Sequence, residues 1–311
     1  MPASAPEALA MASGILNINK PGGMSSFQVV AMVRRLTRER KVGHGGTLDP
    51  AALGVLPVFL NRATRLVEYF ADTTKAYCAR IVLGATTDSY DAEGRLMDSC
   101  DPSGVTREQV EEVLSSFRGE VEQVPPMHSA LKYQGKRLYS LARAGLEVER
   151  APRKIKIFDI RLVEWEPPEL VIQVECGKGT YMRSIAHDLG QRLGCGAYQE
   201  SLVRMWDGPF AIGDGISLDE LEVACREGYW RDLMQPMDEV LLNLQVIVLG
   251  KAGQTALLQG QALTVKPVPK SRQASKGSPF CRVYSGGGDL LAVGRLDPYT
   301  GLCQPQKVLY P

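Results

Sequence analysis

Residues 43–50 read Gly-His-Gly-Gly-Thr-Leu-Asp-Pro, and this run is the first limit on the fold. Three glycines let a backbone turn sharply and come close to a neighbour or a ligand. Pro50 fixes the chain just after Asp49 and biases Asp49 away from helix. The spacing predicts a loop that separates the elements on either side of it. His44, one of three histidines, stands five positions before Asp49. An acid on a stiff, Gly-lined loop is a candidate nucleophile. An ordinary Asp-Pro turn uses the same residues.

The elements around the loop follow from periodicity. Ile15 to Asn19 alternates and predicts a strand, broken by Lys20-Pro21-Gly22-Gly23. Ser25 and Gln28 form a capping box, and Val29, Val33 and Leu36 follow at helical spacing, which predicts a helix over 26–39. A second helix is expected over 63–70. Residues 76–83 predict a strand with Tyr77, Ala79, Ile81 and Leu83 on one face and Arg80 on the other. Residues 84–94 read as a polar loop and 107–117 as a helix with Val110, Val113 and Leu114 inward. Strands are expected over 155–163 and 170–176, then a helix over 182–193 that ends at Gly194.

Near residues 235–245 the character changes. Beyond Val246 there is no Glu, Gly and Pro are frequent, and short β-like runs appear at 262–265, 280–284 and 290–293. A small β-rich unit of about 65 residues is expected there, close to the lower limit for a self-supporting core. With 311 residues, 44% of them hydrophobic, the chain can build one large domain and this small one. Residues 1–13 form an Ala- and Pro-rich tail. It lacks a basic start and a continuous apolar core, so it does not read as a signal peptide, and Met11 offers an alternative start. No apolar run reaches the roughly 18–20 residues that span a bilayer.

Net charge is only +1, but it is unevenly distributed. Residues 128–156 carry eight Lys or Arg against Glu147 and Glu149, and residues 246–311 carry eight against Asp289 and Asp297. The remainder holds 20 basic and 31 acidic residues. Two basic segments on an acidic body suit a polyanion gripped at chosen places; solvated charged faces are the plainer alternative. The seven cysteines are odd in number and lack C-x-x-C spacing, which argues against zinc or a disulfide framework and fits a reducing, cytoplasmic setting.

Several familiar sites are excluded. Gly177-Lys178-Gly179-Thr180 lacks the Ser or Thr that follows Lys in a P-loop. Gly43, Gly45 and Gly46 do not have dinucleotide-fingerprint spacing. The three histidines form no i, i+4 pair for a metal, and no G-x-S-x-G elbow occurs.

Seven ordered motifs together resemble one family. They are Asn17-x-Asn19-Lys20-Pro21-x-Gly23-x-x-Ser26, then 43–50, then Lys75-x-Tyr77. Gly84-Ala85-x-Thr87-x-Ser89-x-Asp91-x-x-Gly94 and Pro125-Pro126-x-x-Ser129-Ala130-x-Lys132 follow. The last two are Gly179-Thr180-Tyr181-x-Arg183-Ser184 and Leu202-x-Arg204. From about Gly14 to the C-terminus the chain is similar to the TruB-type tRNA pseudouridine synthases. Ser89 and Tyr90 match their stretch loosely, and the match of the second unit is diffuse.

The resemblance implies an α+β catalytic domain over 14–245 around a largely antiparallel mixed sheet. It also implies a thumb-like insertion at about 127–152 and a PUA-like RNA-binding domain over 246–311. It implies isomerisation of the T-loop uridine at tRNA position 55, with no cofactor and no metal, because nothing is oxidised and no group is lost. Asp49 matches the family's nucleophile; at an ordinary pKa near ~3.9 it is ionised at neutral pH. Arg183 matches the arginine that pairs with it, and Tyr77 the residue that stacks on the target base and offers a general base. Leu202 matches an apolar pocket residue, and His44 the residue that holds the flipped nucleotide. Lys20 supports the pocket or contacts backbone. Gly45, Gly46 and Thr47 line the loop, and Lys132 and Arg137 lie on the insertion. The expected partner is tRNA, through its T-arm and acceptor side, bound by a cytoplasmic monomer with no membrane and no obligatory protein partner. A guide-RNA-dependent catalytic subunit, a non-catalytic tRNA-binding or folding protein, and a glycosylase are the alternatives.

Overall fold

The computed structural model describes residues 12–129, 131–265 and 278–309. The expected loose tail, apart from residues 12 and 13, and the alternative start at Met11 lie outside the described residues. So do Ala130, the side chain of Lys132, and the basic residues Lys266, Lys270, Arg272 and Lys276 of the C-terminal segment.

A nine-stranded sheet forms the body. Its main path runs Gly14–Lys20, Leu53–Leu60, Ala197–Asp207, Lys75–Leu83, Glu169–Cys176, Arg153–Glu166 and Gly119–Gln123. Val42–His44 and Phe210–Ala211 pair off this path. Every pairing is antiparallel except that of Leu53–Leu60 with Ala197–Asp207. The class is therefore α+β with a largely antiparallel sheet, as expected.

The central strand Lys75–Leu83 has the predicted alternation: Tyr77, Ala79, Ile81 and Leu83 are buried, while Cys78, Arg80 and Val82 are half-buried. Its inward face packs with Val110 and Leu114 of helix Arg107–Ser115 and with Ile185 and Leu189 of helix Met182–Leu193. Helix Ser26–Thr37 carries the capping box of Ser25 and Gln28. It stops at Thr37 rather than at 39 because Arg38 turns left-handed at φ 60°. The helix expected over 63–70 is split into a 3₁₀ turn, Asn61–Leu66, and one α-helical turn, Val67–Phe70. The polar loop 84–94 contains the strand Ala85–Thr87, which pairs with Leu96–Ser99. The predicted loop at 43–50 loses its first two residues to the strand Val42–His44.

Two central strands escape a reading by periodicity. Leu53–Leu60 is a continuous apolar run interrupted by Pro57, which argues against an interior strand. Pro57 is tolerated because the strand is open on one side there. Ala197–Asp207 pairs only at Leu53 and Gly54, and Val42–His44 only from Val58 onward. Into this opening comes the 43–50 loop, and the Pro57 carbonyl accepts the Gly45 N–H at 2.9 Å. The parallel crossing needs Gly54, at φ +98°, where a Cβ would lie 2.3 Å from the Arg204 carbonyl oxygen. Ala197–Asp207 is masked differently: bulges near residues 200 and 205 break its alternation.

Gly45 does not make room for a ligand. A Cβ there would lie 2.5 Å from the ring of Phe70 and 3.0 Å from that of Phe59. Phe70 is fully buried and packed edge-on against Phe210, so it cannot give way. Gly45→Ala is expected to cost about 1–3 kcal/mol by overpacking. A lower urea midpoint, restored in part by Phe70→Leu in the same chain, checks it; an unchanged midpoint refutes it.

A second, five-stranded sheet runs Gln245–Leu249, Phe280–Ser285, Leu290–Leu296, Leu302–Val308 and Leu263–Thr264. Its own cluster, with Ile247, Leu257, Val283 and Ala292, is small. Its other face shares a core with the body, where Leu290, Val293 and Leu309 pack with Phe59, Phe70, Phe210 and Leu241. Arg62 also donates to the Leu309 carbonyl at 3.1 Å, and Lys307 pairs with Glu68 at 2.8 Å. The marginal core expected of so short a unit is completed by the larger one. Among the described residues no helix is long and apolar enough to cross a membrane.

Candidate active site

The loop that ends in Asp49 is held at nearly every peptide. Gly45 N–H is taken by Pro57, and the Gly46 carbonyl accepts from Arg204 Nη2 at 3.1 Å. The Ser26 hydroxyl binds the Leu48 backbone on both sides, accepting from its N–H at 2.9 Å and donating to its carbonyl at 3.0 Å. Ala52 N–H caps the Asp49 carbonyl, and Gly23 N–H that of Pro50. A loop fixed in this way pays little reorganisation when a substrate arrives.

Lys20 is one of these clamps. It is fully buried, and its ammonium donates to the carbonyls of Pro21, Met24 and Pro50 at 2.8, 2.6 and 2.9 Å. All three of its donors are engaged by backbone carbonyls, so it supports the loop from beneath. Burial lowers its pKa to about 8, against an upward pull from Asp49.

Arg183 is the second residue of helix Met182–Leu193 and only 4% exposed. Buried Gln123 orients this end of the helix, donating to the Tyr181 carbonyl and accepting its N–H at 3.0 and 2.8 Å. The guanidinium meets Asp49 Oδ2 at 3.0 Å and Asp91 Oδ2 at 3.4 Å. It also donates to the carbonyls of His128, at 2.8 Å, and Ser89, at 3.4 Å. One cation thus ties the 43–50 loop, the 84–94 segment and the base of the insertion together. The sequence placed Asp91 in a motif but assigned it no task; here it is the second carboxylate of the site. Its position is set by the Ser89 hydroxyl at 2.5 Å and by Thr87, which donates to its carbonyl at 2.7 Å.

Asp49 is not an ordinary carboxylate. Desolvation by the surrounding protein raises its pKa, Arg183 pulls it down, and Asp91 pushes it up again. The side chain still keeps 41% of its solvent contact, all the same. A ligand that covers the exposed part of Asp49 removes more water from it and raises its pKa further. Removal of the like charge by Asp91→Asn is expected to lower the Asp49 pKa. The acidic limb of any rate that needs ionised Asp49 then moves to lower pH. A single-turnover pH profile with the limb unmoved or raised counts against this.

Tyr77 and Leu202 face the same interior as Leu48 and Met182. Tyr77 is 8% exposed, and burial pushes its hydroxyl up to about 12, against a downward pull from Arg204. A standing phenolate is therefore scarce at neutral pH, and stacking by the ring is the better-supported task. His44 closes the strand Val42–His44, half-buried, with its Nδ1 enclosed and unpartnered. Burial, then Arg204, lowers its pKa, so a neutral, flat ring faces the loop. Thr47 is exposed. Gly46 has the buried Arg204 and Asp207 beneath it, with Arg204 Nη1 3.4 Å from where a Cβ would stand.

The insertion forms a hairpin, Lys132–Tyr133 with Lys136–Arg137, and the helix Leu138–Arg143, around Met127, Leu138 and Leu141. Arg137 is exposed and contacts Tyr139 within the insertion, not the Asp49 loop. The structure thus brings together Asp49, Arg183 and, beneath the loop, Lys20, while Tyr77 and Leu202 share the core cluster of Leu48 and Met182, the chain neighbours of Asp49 and Arg183. Arg137 stands apart from them. Sequence reasoning missed Asp91, Ser26, Lys75, Arg204 and Asp207, although all except Asp207 lay in quoted motifs.

Comparisons with known proteins bear on this site. Residues 34–182 match the TruB family pseudouridylate synthase N-terminal domain, and residues 183–242 match the tRNA pseudouridylate synthase B C-terminal domain. A tRNA pseudouridine synthase B of Dehalococcoides mccartyi strain CBDB1 is 45% identical over 298 residues, covering 95% of this chain and 96% of that protein. One from Syntrophomonas wolfei is 44% identical over 302 residues, covering 95% and 98%. Among solved structures, the archaeal box H/ACA sRNP Nop10–Cbf5 complex aligns with a TM-score of 0.74 at 26% identity. That alignment covers 99% of this chain and 89% of that one.

Proposed function

Because this chain belongs to the TruB family of pseudouridylate synthases, we propose that it isomerises the T-loop uridine of tRNA, with Asp49 as nucleophile. The relatives named tRNA pseudouridine synthase B match it over nearly their whole lengths, which favours a tRNA substrate. The observation that carries the assignment of the site is the buried Arg183 holding Asp49 at 3.0 Å on a pinned loop. A guanidinium that meets Asp49 with one nitrogen and Asp91 with the other favours the charged form of both acids.

The reaction exchanges an N1–C1′ bond for a C5–C1′ bond. One proton leaves C5 and one arrives at N1, so substrate and product have the same composition. The uridine leaves its stack, and Asp49 acts on the extruded nucleotide. The Tyr77 ring and Leu202 wall hold the base, and the neutral His44 ring stands by to stack in the mouth. Lys132 and Arg137 on the insertion, and the basic C-terminal unit, contact phosphates of the T-arm and acceptor side, which makes affinity salt-dependent. We assign the C-terminal sheet a PUA-like role in that contact. The enzyme works as a cytoplasmic monomer without an obligatory partner.

The alternative is a guide-RNA-dependent catalytic subunit; a neighbour in structure is named as an archaeal box H/ACA sRNP Nop10–Cbf5 complex. The hairpin insertion, which that branch generally lacks, and the relatives' names favour the stand-alone reading. Mapping pseudouridine in an unmodified tRNA transcript, after incubation with purified protein alone, tests it. Conversion at the T-loop uridine is expected. No turnover until a guide RNA and partners are added, or release of free uracil, overturns the proposal.

A further inference from the structure

Behind the 43–50 loop lies a buried ionic cluster that the chemistry above does not use. Arg204 is 1% exposed and Asp207 fully buried. Arg204 Nε donates to the Val55 carbonyl at 2.7 Å and Nη2 to that of Gly46 at 3.1 Å, while Nη1 lies 3.5 Å from Asp207 Oδ2. The other oxygen of Asp207 takes Lys75 Nζ at 3.1 Å and the Thr73 hydroxyl at 2.7 Å. Arg204 also stands directly opposite Tyr77 in the pairing of Ala197–Asp207 with Lys75–Leu83. Residues paired directly across two antiparallel strands turn their side chains to the same face, which sets Arg204 and Tyr77 side by side.

We propose that Arg204 is a positioning residue for the isomerisation, anchored by Asp207, and that it sets the Asp49 loop and the Tyr77 ring in one register. This rests on the functional reading above. This one side chain bonds the loop at Gly46 and the strand after it at Val55, and it stands beside Tyr77 across the sheet. A buried ion pair is a poor source of stability, because an apolar replacement of similar volume often serves as well. Its particular capacity is geometry: a planar fork with fixed donor directions holds several acceptors at once. A shift of about 1 Å in a reacting group costs on the order of a hundredfold in rate. A rigid tie between carboxylate and stacking ring therefore has a direct use. Lys75 and Thr73 fix one oxygen of Asp207, which leaves the other facing Arg204 as an ionic contact at 3.5 Å.

Arg204→Lys tests this. Lysine keeps a positive charge opposite Asp207 but lacks the fork that spans the two carbonyls. The single-turnover rate of pseudouridine formation is expected to fall about tenfold to a hundredfold. The Kd for tRNA should stay within about threefold, since no contact to RNA is removed. In a Tyr77→Phe background the same change should cost much less, because the two act as a unit. A folded Arg204→Lys protein with wild-type rate overturns the proposal. So does a loss that multiplies fully with Tyr77→Phe, or one that appears equally in Kd. If Arg204→Lys does not fold, Thr73→Val removes the hydroxyl's bond to Asp207 and the one it accepts from Lys75, and leaves the bonds of Arg204 itself in place. A rate lowered about threefold at unchanged Kd then supports the proposal, and an unchanged rate overturns it. Wild-type turnover separates the two readings: an inactive wild type overturns the functional reading, whereas an active wild type with an equally active Arg204→Lys overturns this inference alone.

Discussion

Asp49→Ala is expected to abolish pseudouridine formation while leaving tRNA binding within a few-fold of wild type. The loss should be at least about 10³-fold in single-turnover rate, the scale for removing a group that acts in the transition state. Folding should survive, and the sign follows from the pKa. Burial raises the folded-state pKa of Asp49 above its ordinary value. The ionised group therefore costs stability above the ordinary carboxylate range, and the cost disappears as pH falls below that range. Removing it at neutral pH should leave the unfolding midpoint at or above that of wild type, with Asp91 still pairing with Arg183. Rate by quench and pseudouridine mapping, Kd by filter binding and midpoint by urea titration together check this. Retained activity refutes the nucleophile, and a parallel collapse of binding or folding refutes the division of labour.

Arg183→Met should come second in effect and differ from it in kind. The guanidinium holds Asp49, Asp91 and the carbonyls of His128 and Ser89. Its loss leaves two carboxylates facing one another. Breaking a buried ion pair costs about 3–5 kcal/mol where the remaining charge stays buried. Here Asp49 is 41% and Asp91 16% exposed, so water relieves part of the penalty and the lower end is expected. The rate should fall about 10²- to 10³-fold. The pH profile gives the distinguishing sign. Without the cation the Asp49 pKa rises further, so the acidic limb moves to higher pH, opposite to Asp91→Asn. Residual activity whose limb does not move would falsify the electrostatic role assigned to Arg183.

Much of this was legible along the chain. The capping box at Ser25 and Gln28, the alternation through Tyr77, Ala79, Ile81 and Leu83, and the end of the helix at Gly194 are local signals, and the fold obeys them. Two core strands were not legible. Pro57 argues against a strand unless the sheet is known to be open beside it, and the bulges in Ala197–Asp207 erase its period. Helix Leu218–Glu227 carried a capping box at Ser217 and Glu220 and could have been found. At the site, the motifs pointed to Asp49, Tyr77 and Arg183. The tasks of the residues behind them were hidden, because a motif records which side chains occur and not which face they turn. Lys20 looks like a substrate contact in one dimension and is a sealed clamp in three.

The order of residues alone determined the loop, the helices with their caps and the reaction class, since these depend on neighbours within one or two turns and on the motifs that carry the family resemblance. Tertiary structure decided the rest. It showed Gly45 to be a clearance for Phe70, Arg183 to serve two acids, and Arg204 to lie under the loop it holds. Those contacts join residues up to 158 positions apart. Electrostatics and packing act through distance in space, which no local pattern encodes.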